Sequence, residues 1–165
     1  MKIVFLCQFS NAEIRSRIKL NKMTLRNRIC QLLKHPLWNY NDSDIWVDDF
    51  IEEFKKHTNE HEFHIVAHHR GMKCKFESFE SDSISYHFYK SGASLFRDYI
   101  NVKFRLLEKT DYRIYGKRAA KIINSINPDV ICLCGAENPQ YGSAIFYLKE
   151  KPIFLIPQTF LANYY

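Results

Sequence analysis

The chain has 165 residues, of which 46% are hydrophobic and 15% aromatic, and a formal net charge of +6. This length and composition suit one domain with a substantial core and exclude a disordered chain. No stretch approaches the roughly 18 apolar residues of a membrane span, and the apolar start is too short to predict a secretory signal.

The first 57 residues predict one buried strand followed by helices. Residues 2–9 form a nearly unbroken apolar run, which predicts a strand covered on both faces. Residues 14–35 mix bases with apolar residues at irregular helical spacing. Residues 43–57 follow N-cap side chains and repeat Trp46, Phe50 and Phe54 at helical spacing, which predicts a helix packed on the sheet through these aromatic rings.

The rest of the chain predicts further strands and helices. Strands are predicted at 63–68, 84–89, 130–134 and 153–156, and a helix runs from Tyr112 to a stop at Pro128, with a shorter helical pattern at 143–150. Residues 93–110 either begin the longer helix or form a separate one. The order predicts an α/β fold, a Rossmann-like parallel sheet flanked by helices, with residues 1–165 forming a single domain.

Polar side chains directly follow three of the predicted parallel strands. They are Ser10, Asn11, His69, Arg70, Glu137 and Asn138. Open α/β sheets bind ligands at the carboxyl ends of their strands, so we expect these groups to gather there around a polyhydroxylated ligand, with or without a phosphate group. Two simpler interpretations remain open: Glu137 caps the helix that starts near Tyr141, and residues 68–71 form an ordinary loop.

Several common ligand motifs are absent from the sequence. The turn at residues 8–13 contains no glycine, which excludes the usual dinucleotide cradle, and there is no Walker loop. The histidines at 61, 64, 68 and 69 lack metal-type spacing, so no metal is predicted. The five cysteines form no redox or metal pair, and we expect a reduced, cytoplasmic compartment.

A basic segment lies near the start of the chain. Residues 15–34 contain seven Lys and Arg side chains and no acid. The pattern is compatible with a solvated helix face, with contact to a phosphate-bearing acceptor, or with peripheral contact to the inner membrane surface. Nucleic acid is not an expected partner, because base-stacking motifs are missing.

Six segments together resemble the N-terminal half of bacterial family four glycosyltransferases, which have the GT-B fold. In order they are residues 2–11, the helix containing Trp46, residues 67–71, residues 127–131, residues 135–139 and residues 152–158. The similarity covers nearly the whole chain except a divergent region at 14–40. The order of the segments carries the resemblance more than any single motif.

The resemblance implies a retaining enzyme of bacterial surface polysaccharide synthesis that transfers sugar from a nucleotide donor to a sugar or lipid-linked sugar acceptor. The acceptor would contact this N-terminal domain. The nucleotide-sugar donor would be held by a C-terminal domain whose Glu-x7-Glu motif has no counterpart here, and no other cofactor is expected. We therefore expect an N-terminal fragment that is inactive by itself.

The sequence departs from the family pattern at two positions. Ser10 and Asn11 replace a glycine-rich loop that often meets the donor diphosphate, and Ala136 replaces a histidine that often precedes the acid. The alternative function is a non-catalytic α/β module that binds a sugar or a phosphate ligand.

Overall fold

The computed structural model describes residues 1–9, 12–21, 25–35, 45–57, 59–91, 103–106, 112–135, 138–148 and 150–157, without the side chains of residues 25, 26, 45 and 46. The strands are β1 (Lys2–Cys7), β2 (Glu62–His69), β3 (Phe76–Ser81), β4 (Ile84–Lys90), β5 (Val130–Cys134) and β6 (Ile153–Ile156). The helices are α1 (Ala12–Arg17), α2 (Leu25–Leu32), α3 (Ile45–Lys55), α4 (Arg113–Ile126), α5 (Pro139–Gly142) and a 3-10 helix (Ser143–Tyr147).

The six strands form one sheet in the order β3-β4-β2-β1-β5-β6. β1 pairs in parallel with both β2 and β5, β4 pairs in parallel with β2, and β6 pairs in parallel with β5. Only β3, at one edge, is antiparallel to its neighbour. This arrangement confirms the predicted α/β fold with a mostly parallel sheet.

Alternate residues of the buried strands supply two separate cores. Phe5 of β1 faces α3, where its ring lies 5.8 Å from the ring of Phe50 and 4.6 Å from that of Phe54. These contacts confirm the predicted packing of Phe50 and Phe54, whereas the Trp46 side chain lies outside the described atoms. Val4 and Leu6 point to the opposite side, into a core shared with α4 and the 3-10 helix. We call the two sides of the sheet the α3 face and the α4 face.

Strand β3 was not predicted, and the reason lies in its sequence and its position. Phe76 and Phe79 are spaced by three residues rather than two, and most side chains of this edge strand are exposed or half-buried. Its hairpin turn uses Asp82 and Ser83, both with positive φ (51° and 60°), in place of the Asn-Gly or Gly pairs that signal such turns. A polar edge strand with an unusual turn carries little sequence signal.

The segment predicted as an irregular helix at 14–35 is two short helices. Between α1 and α2, Leu20 forms an isolated antiparallel bridge with Met72. The backbone N–H of Asn21 donates to the Gly71 carbonyl at 2.9 Å, so a hydrogen bond links the chain between these helices to the turn that follows β2. Across the described residues, no helix has the length and apolar character required to cross a bilayer.

Candidate functional site

The candidate site lies where strand connections diverge at the carboxyl edge, the edge of the sheet at which the parallel strands end. The chain leaves β1 through α1, α2 and α3 to reach β2 on one side, whereas it leaves β5 through α5 toward β6 on the other side. Adjacent strands whose connections run in opposite directions leave a crevice between them, which is the usual ligand position in open α/β sheets.

Two side-chain amides bridge this crevice. Asn138 Nδ2 donates to Gln8 Oε1 at 3.0 Å, which joins the ends of β1 and β5. Asn138 reaches this position because Gly135 adopts a φ of 76°, a conformation that costs glycine little, and turns the chain sharply after β5. The Asn138 side chain is also the N-cap of α5, since its Oδ1 accepts from the Gln140 N–H at 3.0 Å.

The hydrogen bonds determine the orientation of the Asn138 and Gln8 side-chain amides. Asn138 Oδ1 is taken by a backbone donor, so Nδ2 must face Gln8, and Gln8 must present its oxygen to Asn138. The Gln8 amide nitrogen is thereby directed away from this bond as a donor. The pair thus carries both donor and acceptor capacity at the mouth of the crevice.

His68 adds a half-buried imidazole to the same edge on the α4 face. Its Nδ1 lies 2.9 Å from the Ser91 hydroxyl, and its ring stacks at 5.8 Å on that of Tyr141, next to Tyr89. The Nε2 atom is itself buried and has no hydrogen-bond partner among the residues that the structure describes. Burial lowers the pKa of His68 to about 4, and the neighbouring His69 contributes, so the ring is neutral at pH 7.

The predicted His69 and Arg70 have different surroundings from His68. His69 is buried on the α3 face, where its Nδ1 accepts from the Gly71 N–H at 3.1 Å. Burial lowers the pKa of His69 to about 4, with a further contribution from Arg15 of α1. Arg70 is exposed in the turn after β2.

Of the six residues predicted for the site, three can be placed. His69 is the last residue of β2, Arg70 follows it, and Asn138 follows β5; β1 lies between these strands, so two strand spacings of about 4.8 Å separate the backbones. Ser10, Asn11 and Glu137 lie outside the described residues. The cap role considered for Glu137 therefore has no described counterpart, although the N-cap position of α5 is held by Asn138.

Gln8 was not singled out in the sequence, and His68 was considered for this edge only as part of the segment at residues 68–71. The alternation of side chains along β2 could have indicated the face of His68. Successive residues of a strand point to opposite faces, so His68 shares its face with Val66 and not with Ala67. Gln8 was assigned to the buried strand, although a polar residue at the end of an apolar run is a natural crevice residue. Both positions are set by where β1 and β2 end.

A second concave region lies on the α3 face and is rich in carboxylates. This cavity of about 220 Å³ is lined by Glu13, Asp48, Glu52 and Asp82 around a single base, Lys55. Lys55 Nζ lies 2.6 Å from a Glu52 oxygen and 3.1 Å from an Asp82 oxygen, and the hydrogen bond to Glu52 raises its pKa despite partial burial. Four carboxylates make this cavity unsuited to an anionic ligand, which favours the carboxyl edge.

Comparisons with known proteins give no assignment. No family model matches the sequence, and neither the curated proteins nor the solved structures contain a match.

Proposed function

We propose that this chain is the acceptor-side N-terminal domain of a retaining glycosyltransferase that uses a nucleotide-sugar donor. The proposal combines the ordered resemblance of the six sequence segments with the crevice between β1 and β5. A sugar or lipid-linked sugar acceptor would bind at this crevice, and a second, C-terminal domain would hold the donor. Such enzymes neutralise the departing diphosphate with basic side chains and helix N-termini, so the proposal requires no metal.

The observation that carries the proposal is the amide pair formed by Gln8 and Asn138. A sugar hydroxyl both donates and accepts, and a carboxamide matches it because it offers a donor and an acceptor side by side. The two amides hold each other in place at 3.0 Å, so little side-chain entropy would be lost on binding. Glu137, which precedes Asn138 in the sequence, would add a carboxylate acceptor.

His68 supports the same location. A buried nitrogen without a partner costs about 1–3 kcal/mol, and such an atom is usually explained by function or by a bound polar group. Its neutral ring can donate or accept through Nε2 according to the tautomer. The aromatic side chains of Tyr89 and Tyr141 pack beside it and limit its rotation.

The test is sugar binding by the 165-residue chain, measured by saturation-transfer NMR. The probes are the methyl glycosides of glucose, galactose, mannose and N-acetylglucosamine, and their 1-phosphates. Asn138→Ala should weaken the affinity for the bound sugar about tenfold, since it removes one or two hydrogen bonds of about 1 kcal/mol each. Asn59→Ala is the matched control, because this exposed asparagine lies before β2 at the opposite edge of the sheet.

Equal loss of binding in both variants, or no saturation transfer to any probe, would contradict the proposal. Binding of a sugar without donor turnover, once the chain is joined to its donor-binding domain, would instead favour the non-catalytic binding module.

A further inference from the structure

Helix α2 exposes three large apolar side chains near its end. Ile29 is 48% exposed, Leu32 83% and Leu33 63%. Their spacing of three and four residues places them on one side of the helix, where they form a continuous stripe. We call these three residues the α2 tip.

The backbone holds the α2 tip in a defined geometry. Lys34 adopts a left-handed conformation with φ 52°, its N–H donates to the Gln31 carbonyl at 3.2 Å, and the His35 N–H donates to the Cys30 carbonyl at 2.8 Å. This pair of bonds is a Schellman motif, which ends a helix sharply and satisfies its last carbonyls. The apolar stripe is therefore presented by an ordered helix end.

The α2 tip lies in a stretch of one charge sign. Residues 14–41 contain no acid, and the exposed bases Arg28 and Lys34 directly precede and follow the α2 tip. An apolar stripe flanked by bases is the pattern of a segment that inserts shallowly at a membrane interface while its bases meet anionic headgroups. A protein partner would require no such excess of bases, and the apolar stripe gives nothing to a phosphate backbone.

The chain connects the α2 tip to the carboxyl edge through Asn21. A 2.9 Å backbone hydrogen bond joins the Asn21 N–H to the Gly71 carbonyl, two residues after β2. α2 begins four residues after Asn21, a stretch of at most about 14 Å, and the α2 tip extends up to eight helical residues further, about 12 Å. The α2 tip therefore lies no more than about 26 Å from Asn21.

We propose that the α2 tip docks the protein on an anionic lipid bilayer. The bilayer contact stands on α2 alone. The further consequence, that the acceptor is a lipid-linked sugar delivered along that surface, rests on the proposed function.

The test is co-sedimentation with phosphatidylcholine vesicles prepared with and without phosphatidylglycerol. The wild-type chain should bind only the anionic vesicles, and binding should weaken as salt is raised above about 0.15 M. The double variant Leu32→Asp/Leu33→Asp should lose at least about tenfold in partitioning, because it removes most of the inserted apolar surface. Circular dichroism should show unchanged folding, since both side chains are exposed.

Ile114→Asp is the matched control. Ile114 is 47% exposed on α4 next to the base Arg113, so this variant tests whether any exposed apolar residue beside a base supports binding to anionic vesicles. The control should bind anionic vesicles as the wild type does. Equal binding to both kinds of vesicle, full binding by the double variant, or equal loss in the control would overturn the proposal.

Sedimentation velocity without lipid gives a further decisive outcome. A dimer that the double variant dissociates, together with no vesicle binding, would assign the α2 tip to a second copy of the chain. None of these measurements involves a sugar, so the sugar-binding test stands or falls independently of them.

Discussion

Three buried or half-buried histidines, His68, His69 and His87, are kept neutral at pH 7 by the fold. Burial lowers the pKa of His68, His69 and His87 to about 4 in each case, and the neighbouring His64 adds to the effect at His87. His87 belongs to a hydrogen-bonded row across β3, β4 and β2. Its Nδ1 lies 2.9 Å from the Ser78 hydroxyl and its Nε2 lies 3.1 Å from His64 Nδ1. A direct hydrogen bond between two imidazoles needs one nitrogen without a proton, so at least one of the two rings must be neutral.

We predict that stability rises with pH between about 4 and 6.5. The unfolded histidines bind protons below their ordinary pKa of about 6.5, whereas the folded ones remain neutral down to about 4, so the unfolded state binds more protons in this window. His68 should contribute on the order of 1–3 kcal/mol, fully present above about pH 6.5 and lost as the pH falls to 4. Urea unfolding at a series of pH values measures it.

His68→Gln should flatten this pH dependence. Ser91→Ala, which removes only the hydroxyl partner of His68, should lower the stability without changing its slope with pH. An unchanged slope in His68→Gln would show that this ring is protonated in the folded protein.

At the scale of the elements, Gly116 of α4 packs closely against Ser143 of the 3-10 helix. A Cβ added at Gly116 would lie 2.7 Å from the Ser143 carbonyl oxygen and 2.7 Å from its hydroxyl. The Ser143 hydroxyl donates in turn to the Tyr112 carbonyl at 3.4 Å. The 3-10 helix directly follows α5, so this contact helps to position Asn138 at the candidate site.

Gly116→Ala should therefore destabilise the protein. Forcing a methyl group against a backbone oxygen costs about 1–3 kcal/mol, more than the roughly 1 kcal/mol that alanine gains over glycine inside a helix. Differential scanning calorimetry should show a lower Tm than the wild type. Ser125→Ala on the exposed side of the same helix should change the stability by no more than about 0.5 kcal/mol. A higher Tm in Gly116→Ala would mean that the two helices can separate without loss.

Elements with strong patterns were predictable, and those set by tertiary contacts were not. The strands 130–134 and 153–156 have the predicted bounds, because short apolar runs between turn residues allow few alternatives. The break between α1 and α2 depends on the bridge from Leu20 to Met72, a contact distant in sequence. At the site, the ends of the strands predicted polar groups at the carboxyl edge, but the sheet face of each β2 side chain was not predicted: His68 lies on the α4 face and its neighbour His69 on the α3 face.

At the scale of the whole molecule, charge is distributed unevenly over the surface. Carboxylates line the cavity on the α3 face, bases flank the α2 tip, and the crevice between β1 and β5 presents neutral amides. This arrangement suits a neutral, hydroxyl-rich ligand at the crevice and an anionic surface at the α2 tip. Gln8 follows β1, Asn138 follows β5 and His68 belongs to β2, so their neighbouring positions depend on the sheet order.

The most direct test of this account locates the sugar on the protein. Two-dimensional NMR spectra of the isotope-labelled chain would be recorded while the methyl glycoside with the strongest saturation transfer is added. The side-chain amides of Gln8 and Asn138 and the ring of His68 should show the largest shift changes, while the residues lining the second cavity, such as Glu13 and Asp48, stay unchanged. Shift changes centred on that cavity, or spread evenly over the surface, would contradict a ligand site at the carboxyl edge.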